Sequence, residues 1–272
     1  MLLTENNNCK NVLEQPFPHV VVEEALDKEL LDQIFRSIPD LKSLTDGKRY
    51  GNNERFNYSA SDILANPDIA PEFKELARIH LSQAFLNGVV NLFGKFIPEY
   101  FPDFKNRFGD LYNLRAGVRG KDNERDEIDV LMDFQLASNT PVFLPGTTVR
   151  APHIDCPKKL FVGLLYLRHP EDDSTGGDLE LYTPSAEASA SGPKMDITRT
   201  ARKEDMAVAK TIPYKSNSLV LFLNTPHSYH GVTVRKRTGH VRLFLNLLGE
   251  MKEPLFDLSL EKTGSRKVDL LR

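Results

Sequence analysis

With 272 residues, 40% of them hydrophobic and 27% charged, the chain is long enough for one large domain with a real core and too ordinary in composition for a disordered or fibrous class. A formal net charge of -3 offers no basic face for nucleic acid, and two cysteines, Cys9 and Cys156, supply neither a disulfide framework nor a thiolate metal cluster. The start, Met1-Leu2-Leu3-Thr4-Glu5, lacks the basic and apolar stretches of a signal peptide, and no apolar run approaches the roughly 20 residues of a bilayer span. A soluble, reducing, cytoplasmic setting with no membrane partner is expected.

In chain order, the polar residues 1 to 15 predict a frayed terminus. Pro16-Phe17-Pro18-His19-Val20-Val21-Val22 reads as a short strand of β-branched residues. Leu26, Leu30, Leu31, Ile34, Phe35 and Ile38 recur at helical spacing, and Pro39 ends that helix. Lys42 to Ala60 is polar and asparagine-rich, a loop. Pro71 to Phe96 predicts the longest helix, with Pro71 in its first turn and Pro98 beyond its end.

From about residue 110 the texture changes to short β-like segments. Asp110–Gly117 predicts a strand, Lys121–Asp129 a charge-dense turn, and Ile128–Ala137 another strand. Thr147–Asp155, Leu160–Leu167, Asp178–Tyr182, Lys210–Pro213, Ser218–Leu223, Ser228–Val234 and His240–Leu248 follow, with no helical pattern between them. Ser185–Lys203 interrupts the series with small and polar residues, as a lid or mobile insertion would. The expected layout is mainly β with a helical N-terminal part. Residues 1–109 form the helical support, and residues 110–272 form a double-stranded β-helix core integrated with it into one domain.

The chemistry centres on Ala151-Pro152-His153-Ile154-Asp155-Cys156. Residues two apart on a strand share a face, so His153 and Asp155 present an imidazole and a carboxylate to one ion. A second, distant histidine would complete two histidines and a carboxylate, the donor set of non-haem Fe(II) with open positions for substrate and oxygen. His230 opens the alternating His230-Gly231-Val232-Thr233-Val234 and is the expected third ligand, with His227, in the preceding turn, as the alternative. Arg242 lies twelve residues further along an apolar strand, where a buried guanidinium calls for an anion, and a dicarboxylate cosubstrate is a natural partner. Cys156 reads as a small apolar filler, and Arg235-Lys236-Arg237 reads as a solvated hairpin tip.

His153-x-Asp155, His230, Arg242, Gly176-Gly177-Asp178-Leu179-Glu180-Leu181-Tyr182 and Leu164-Leu165-Tyr166-Leu167 occur in the order seen in Fe(II)/2-oxoglutarate-dependent dioxygenases. Over residues 110 to 249 the chain resembles that family, and within it the prolyl-4-hydroxylase-like branch. The resemblance implies a jelly-roll core in which His153, Asp155 and His230 hold Fe(II) and 2-oxoglutarate chelates that iron. Arg242 then binds the cosubstrate's distal carboxylate, with Lys236 and Arg237 as competitors for that role and Tyr166 as a further contact. O2 is consumed, 2-oxoglutarate is decarboxylated to succinate, and the substrate is oxidised. Members that halogenate have Gly or Ala in place of the carboxylate, so Asp155 implies hydroxylation or a related oxidation. The tyrosine common three residues before the first ligand is here Arg150, the candidate to grip an anionic substrate group. The expected substrate is a small polar metabolite such as an amino acid or derivative. A prolyl-type peptide hydroxylase and a non-catalytic cupin-like binding protein are the alternatives.

Overall fold

The computed structural model describes residues 4, 11–144, 150–189 and 192–258. The beginning of the predicted 147–155 strand, residues 190–191 of the insertion and most of the first ten residues lie outside them.

Among the described residues, ten strands form two sheets. They are β1 (His19–Val22), β2 (Arg55–Tyr58), β3 (Ala116–Val118), β4 (Val130–Asn139), β5 (Lys159–Tyr166), β6 (Leu179–Pro184), β7 (Met206–Ile212), β8 (Ser218–Leu223), β9 (His230–Val232) and β10 (Arg242–Met251). The larger sheet runs β1-β8-β5-β10-β4-β2, with β3 paired to β4, and the smaller runs β7-β6-β9. The segment around His153 extends the smaller sheet: His153 and His230 exchange backbone hydrogen bonds at 2.9 and 3.0 Å. From β4 onward the chain therefore crosses between the two sheets at nearly every strand. This is the path of a double-stranded β-helix, a jelly-roll-like sandwich with most of its helices before it.

Alternation explains why the larger sheet reads as almost continuous apolar sequence. On β10, Leu243, Leu245 and Leu247 join a core shared with the helices, while Phe244 joins the core between the sheets. On β5, Leu165 belongs to the first and Leu164 and Tyr166 to the second; on β8, Leu219 and Leu221 face the helices and Val220 and Phe222 face inward. A sheet covered on both faces needs apolar side chains at both parities.

The helices are α1 (Lys28–Ser37), α2 (Leu41–Leu44), α3 (Ala60–Ala65), α4 (Pro71–His80), α5 (Gln83–Phe93), α6 (Ile97–Tyr100) and α7 (Phe104–Phe108). The single helix predicted over Pro71–Phe96 is two. The chain turns at Leu81-Ser82, where Ser82 caps the second helix by accepting from the Phe85 amide, and the heptad-like apolar spacing runs unbroken through that turn. The predicted loop Lys42–Ala60 holds α2, β2 and the start of α3. Asp110–Gly117 is mostly not a strand: Leu111–Asn113 is a 3-10 turn with Tyr112 exposed, and only Ala116–Val118 pairs. Residues before 110 contribute β1 and β2 directly to the larger sheet.

His80 is wholly buried at the end of α4, donating from Nδ1 to the Leu76 carbonyl at 2.7 Å with its ring against Phe85. Burial pulls its pKa down to about 4, opposed by the Leu76 hydrogen bond. The unfolded chain, with an ordinary histidine pKa near 6.5, therefore binds a proton that the folded chain refuses over the interval between the two values. Stability from this residue is complete above pH ~6.5 and falls by about 3 kcal/mol as pH drops toward 4. Urea unfolding between pH 7 and 4.5 is expected to show that loss, and His80→Leu to flatten it; an unchanged slope in the variant would contradict the assignment.

Candidate metal and anion site

His153, Asp155 and His230 place one donor atom each within 4.8 Å of the other two, two on the chain entering the smaller sheet and one at the start of β9. The Nε2–carboxylate separations are 3.8 Å for His153 and 3.9 Å for His230, too long for hydrogen bonds. Each imidazole is oriented from behind: His153 Nδ1 donates to the Ala151 carbonyl and His230 Nδ1 to the Ser228 carbonyl, both at 2.9 Å. A carbonyl only accepts, so in each ring the proton sits on Nδ1 and the Nε2 lone pair faces the common centre. Burial lowers the pKa of both histidines, Asp155 acting against it, so both are neutral near pH 7.

Burial alone would raise the Asp155 pKa, but Lys159 and the two histidines outweigh it and hold the carboxyl well below the usual range. Lys159 Nζ lies 3.2 Å from Asp155 Oδ2. Two lone pairs and an ionised carboxylate thus converge on one point, a donor set for a cation. Two histidines and one carboxylate on one side are the donor set that suits Fe(II) and leaves positions open. The residues present fit such an ion.

These residues line a cleft of about 450 Å³ between the sheets. Arg242, at the first position of β10, lines it too, with 2% of its surface exposed. Its Nε donates to the Gly177 carbonyl at 2.8 Å and its Nη1 to Asn139 Oδ1 at 3.3 Å, and its guanidinium carbon lies 5.1, 4.9 and 4.8 Å from the ring centres of Tyr166, Tyr214 and Phe244. No carboxylate pairs with Arg242 among the described residues. Gly177 is required where it stands: its φ is +84°, and a Cβ there would press on the Arg242 side chain at 3.1 Å. Beside the guanidinium, neither the Tyr166 hydroxyl nor the Asn139 amide nitrogen has an acceptor, although both are buried. Burial raises the Tyr166 pKa, so the phenol keeps its proton. One buried cation and two unused donors make a receptor for a carboxylate.

The structure brings the predicted residues His153, Asp155, His230, Arg242 and Arg150 to one cleft, with Tyr166 against Arg242. His227 lies in a turn with its ring near Tyr100 and is not among the converging donors. Lys236 and Arg237 are exposed and do not line the cleft. Arg235 corrects the expected solvated tip. It is fully buried, its Nη1 donating to Asn53 Oδ1 at 2.7 Å and to the Thr140 carbonyl and its Nη2 to the His240 carbonyl, three acceptors that hold a guanidinium the basic run around it made look solvated. The described part of the segment Ser185–Lys203 packs beside the His153 segment. Ile154 donates to the Arg199 carbonyl and Ala201 to the Pro152 carbonyl, so it covers the outer edge of the His153 segment, and Met195 and Ala201 pack on Ile154. Arg150 donates to the Thr198 carbonyl of the same segment. Sequence reasoning missed Arg55, Asn57, Gln135 and Asn139. The usable signal was parity on β4 and β10, since Gln135 and Asn139 share a face that register sets opposite Asn246 and Arg242.

No protein-family model matches the chain, and no curated protein matches it in sequence. Among solved structures the chain is similar in fold to several proteins. One is a prolyl 4-hydroxylase of Phytophthora capsici, 14% identical with a TM-score of 0.46, the match covering 92% of this chain and 61% of that one. Another is a prolyl-4-hydroxylase of Pseudomonas putida, 13% identical with a TM-score of 0.44, covering 86% and 92%. A third is a dioxygenase for auxin oxidation in rice, 13% identical with a TM-score of 0.42, covering 85% and 72%. No helix among the described residues is long and apolar enough to cross a membrane.

Proposed function

We propose that the chain is an Fe(II)- and 2-oxoglutarate-dependent oxygenase that hydroxylates a small polar metabolite such as an amino acid or derivative. The observation that supports this most is the pairing, in one cleft, of the His153/Asp155/His230 donor set with a buried Arg242 lacking a carboxylate partner. Bound Fe(II) supplies the O2-dependent oxidation that is coupled to decarboxylation of 2-oxoglutarate to succinate.

The chain's own residues do the rest. The Ala151 and Ser228 carbonyls fix the imidazole tautomers, so both rings offer a lone pair without a deprotonation step. Arg242 takes the distal carboxylate of 2-oxoglutarate, with Tyr166 and Asn139 donating beside it. Val162, Leu164, Leu179 and Leu248 line the same cleft, and charge contacts made against apolar side chains are stronger than in water. A cleft of about 450 Å³ has the size of a small-molecule site, usually 300–1,000 Å³.

Succinate release tests the reading. With Fe(II), 2-oxoglutarate and O2, the chain is expected to form succinate, and a panel of free amino acids and derivatives to stimulate it. Stimulation by proline-containing peptides alone would replace the metabolite with a peptide substrate, and no succinate under any condition would contradict an oxygenase.

A further inference from the structure

Beyond β4 the larger sheet carries one more strand, β2, and its alternation sets Arg55 and Asn57 on the cleft side while Tyr58 packs on the helix-side core. In register, Arg55 stands opposite Asn139, which stands opposite Arg242, so an Arg–Asn–Arg row crosses three adjacent strands. The two guanidiniums share Phe244: the Arg55 carbon lies 4.9 Å from its ring centre and the Arg242 carbon 4.8 Å.

Among the described residues, five cationic side chains and one carboxylate, Asp155, line this cleft. Most of the cations are engaged. Lys159 is on Asp155, and Arg119 bridges Asp133 and Glu250 at 3.4 Å each. Arg150 donates to the Thr198 carbonyl, and Arg242 is assigned to the cosubstrate. Arg55 is different: it is exposed within the cleft, its Nε donates to the neutral Asn57 side chain at 3.2 Å, and it forms no ion pair among the described residues. The cleft walls desolvate it, pulling its pKa down to about 10, with Asp155 opposing and Arg242 and Arg150 adding to the shift. At neutral pH it is still charged, and its surroundings leave that charge unbalanced.

Resting on the oxygenase reading above, we infer that the substrate carries an anionic group, a carboxylate or a phosphate, and that Arg55 binds it with Asn57 alongside. A guanidinium in this position offers two parallel N–H donors to either oxyanion, and the surplus positive charge of the cleft draws such a substrate in. Arg55, supplied by the strand added outside the β-helix, is thus a specificity determinant, separate from the Arg242 that the cosubstrate occupies.

The test uses the full chain loaded anaerobically with Fe(II) and 2-oxoglutarate, watched through the visible band of that complex. N-acetylglycine, inorganic phosphate and the neutral N-acetylglycinamide are titrated in at constant ionic strength. At least one of the two anions is expected to perturb the band saturably and the amide not; the tighter anion identifies the substrate's group. Arg55→Gln is expected to weaken that anion by about tenfold or more. Asn57→Asp, which sets a carboxylate against Arg55 on an edge strand, is expected to do the same, and 2-oxoglutarate binding to stay within about twofold in both. Equal response to acid and amide, no response to either anion, or wild-type anion binding in both variants overturns the inference while leaving the iron reading intact. Absence of the band itself contradicts the iron reading, and the inference falls with it.

Discussion

Asp155→Ala is expected to strip the site of iron and abolish hydroxylation. The substitution removes one of three donors and also leaves the Lys159 ammonium, 3.2 Å from the lost oxygen, facing the place where a cation must bind. Losing even an outer-shell partner of a metal ligand typically costs about 10–100-fold in metal affinity, so losing the one anionic ligand itself is expected to cost more than about 100-fold. Iron content after reconstitution and succinate formation are expected to fall together. Full activity with native iron content would sink the triad assignment.

Arg242→Leu has the second largest expected effect, and it separates a binding arginine from a structural one. The guanidinium is buried with only neutral partners, Gly177, Asn139 and three aromatic rings, so replacing it by an apolar side chain is expected to cost folding stability about 1–3 kcal/mol, for the Gly177 and Asn139 acceptors left without a donor, with the fold retained. The cosubstrate, by contrast, loses a desolvated charge partner worth about 2–5 kcal/mol, so half-saturation by 2-oxoglutarate is expected to rise by roughly 30- to several-thousandfold. Iron binding without 2-oxoglutarate is expected to persist. A variant that unfolds but binds 2-oxoglutarate normally when refolded would assign Arg242 to the fold instead.

How much of this was legible follows from how each residue is positioned. His153 and Asp155 could be paired because spacing of two is the period of extended chain, and Arg242 because a lone guanidinium interrupts an apolar strand. The core strands were legible for the same reason, since a sheet buried on both faces leaves apolar runs. β2 was not: four residues, Arg55-Phe56-Asn57-Tyr58, sit in an asparagine-rich stretch whose local chemistry favours turns, and only pairing with β4 makes them a strand. Arg55 and Asn57 were lost with it. Arg235 was misread because neighbouring charges suggest solvent, whereas its partners Asn53 and Thr140 are brought in by distant segments and His240 by the turn that follows it. The turn at Leu81-Ser82 left the apolar spacing intact, so periodicity could not reveal it. Local pattern carried the ligands; the rest of the cleft came from long-range pairing.

The central claim is that one cleft holds Fe(II) on His153, Asp155 and His230 and 2-oxoglutarate on Arg242. Anaerobic addition of Fe(II) and then 2-oxoglutarate to the wild-type chain tests it most directly. A saturable visible charge-transfer band is predicted, absent in Asp155→Ala and shifted to much higher 2-oxoglutarate concentration in Arg242→Leu. No band in the wild type, or an equal band in all three proteins, would contradict it.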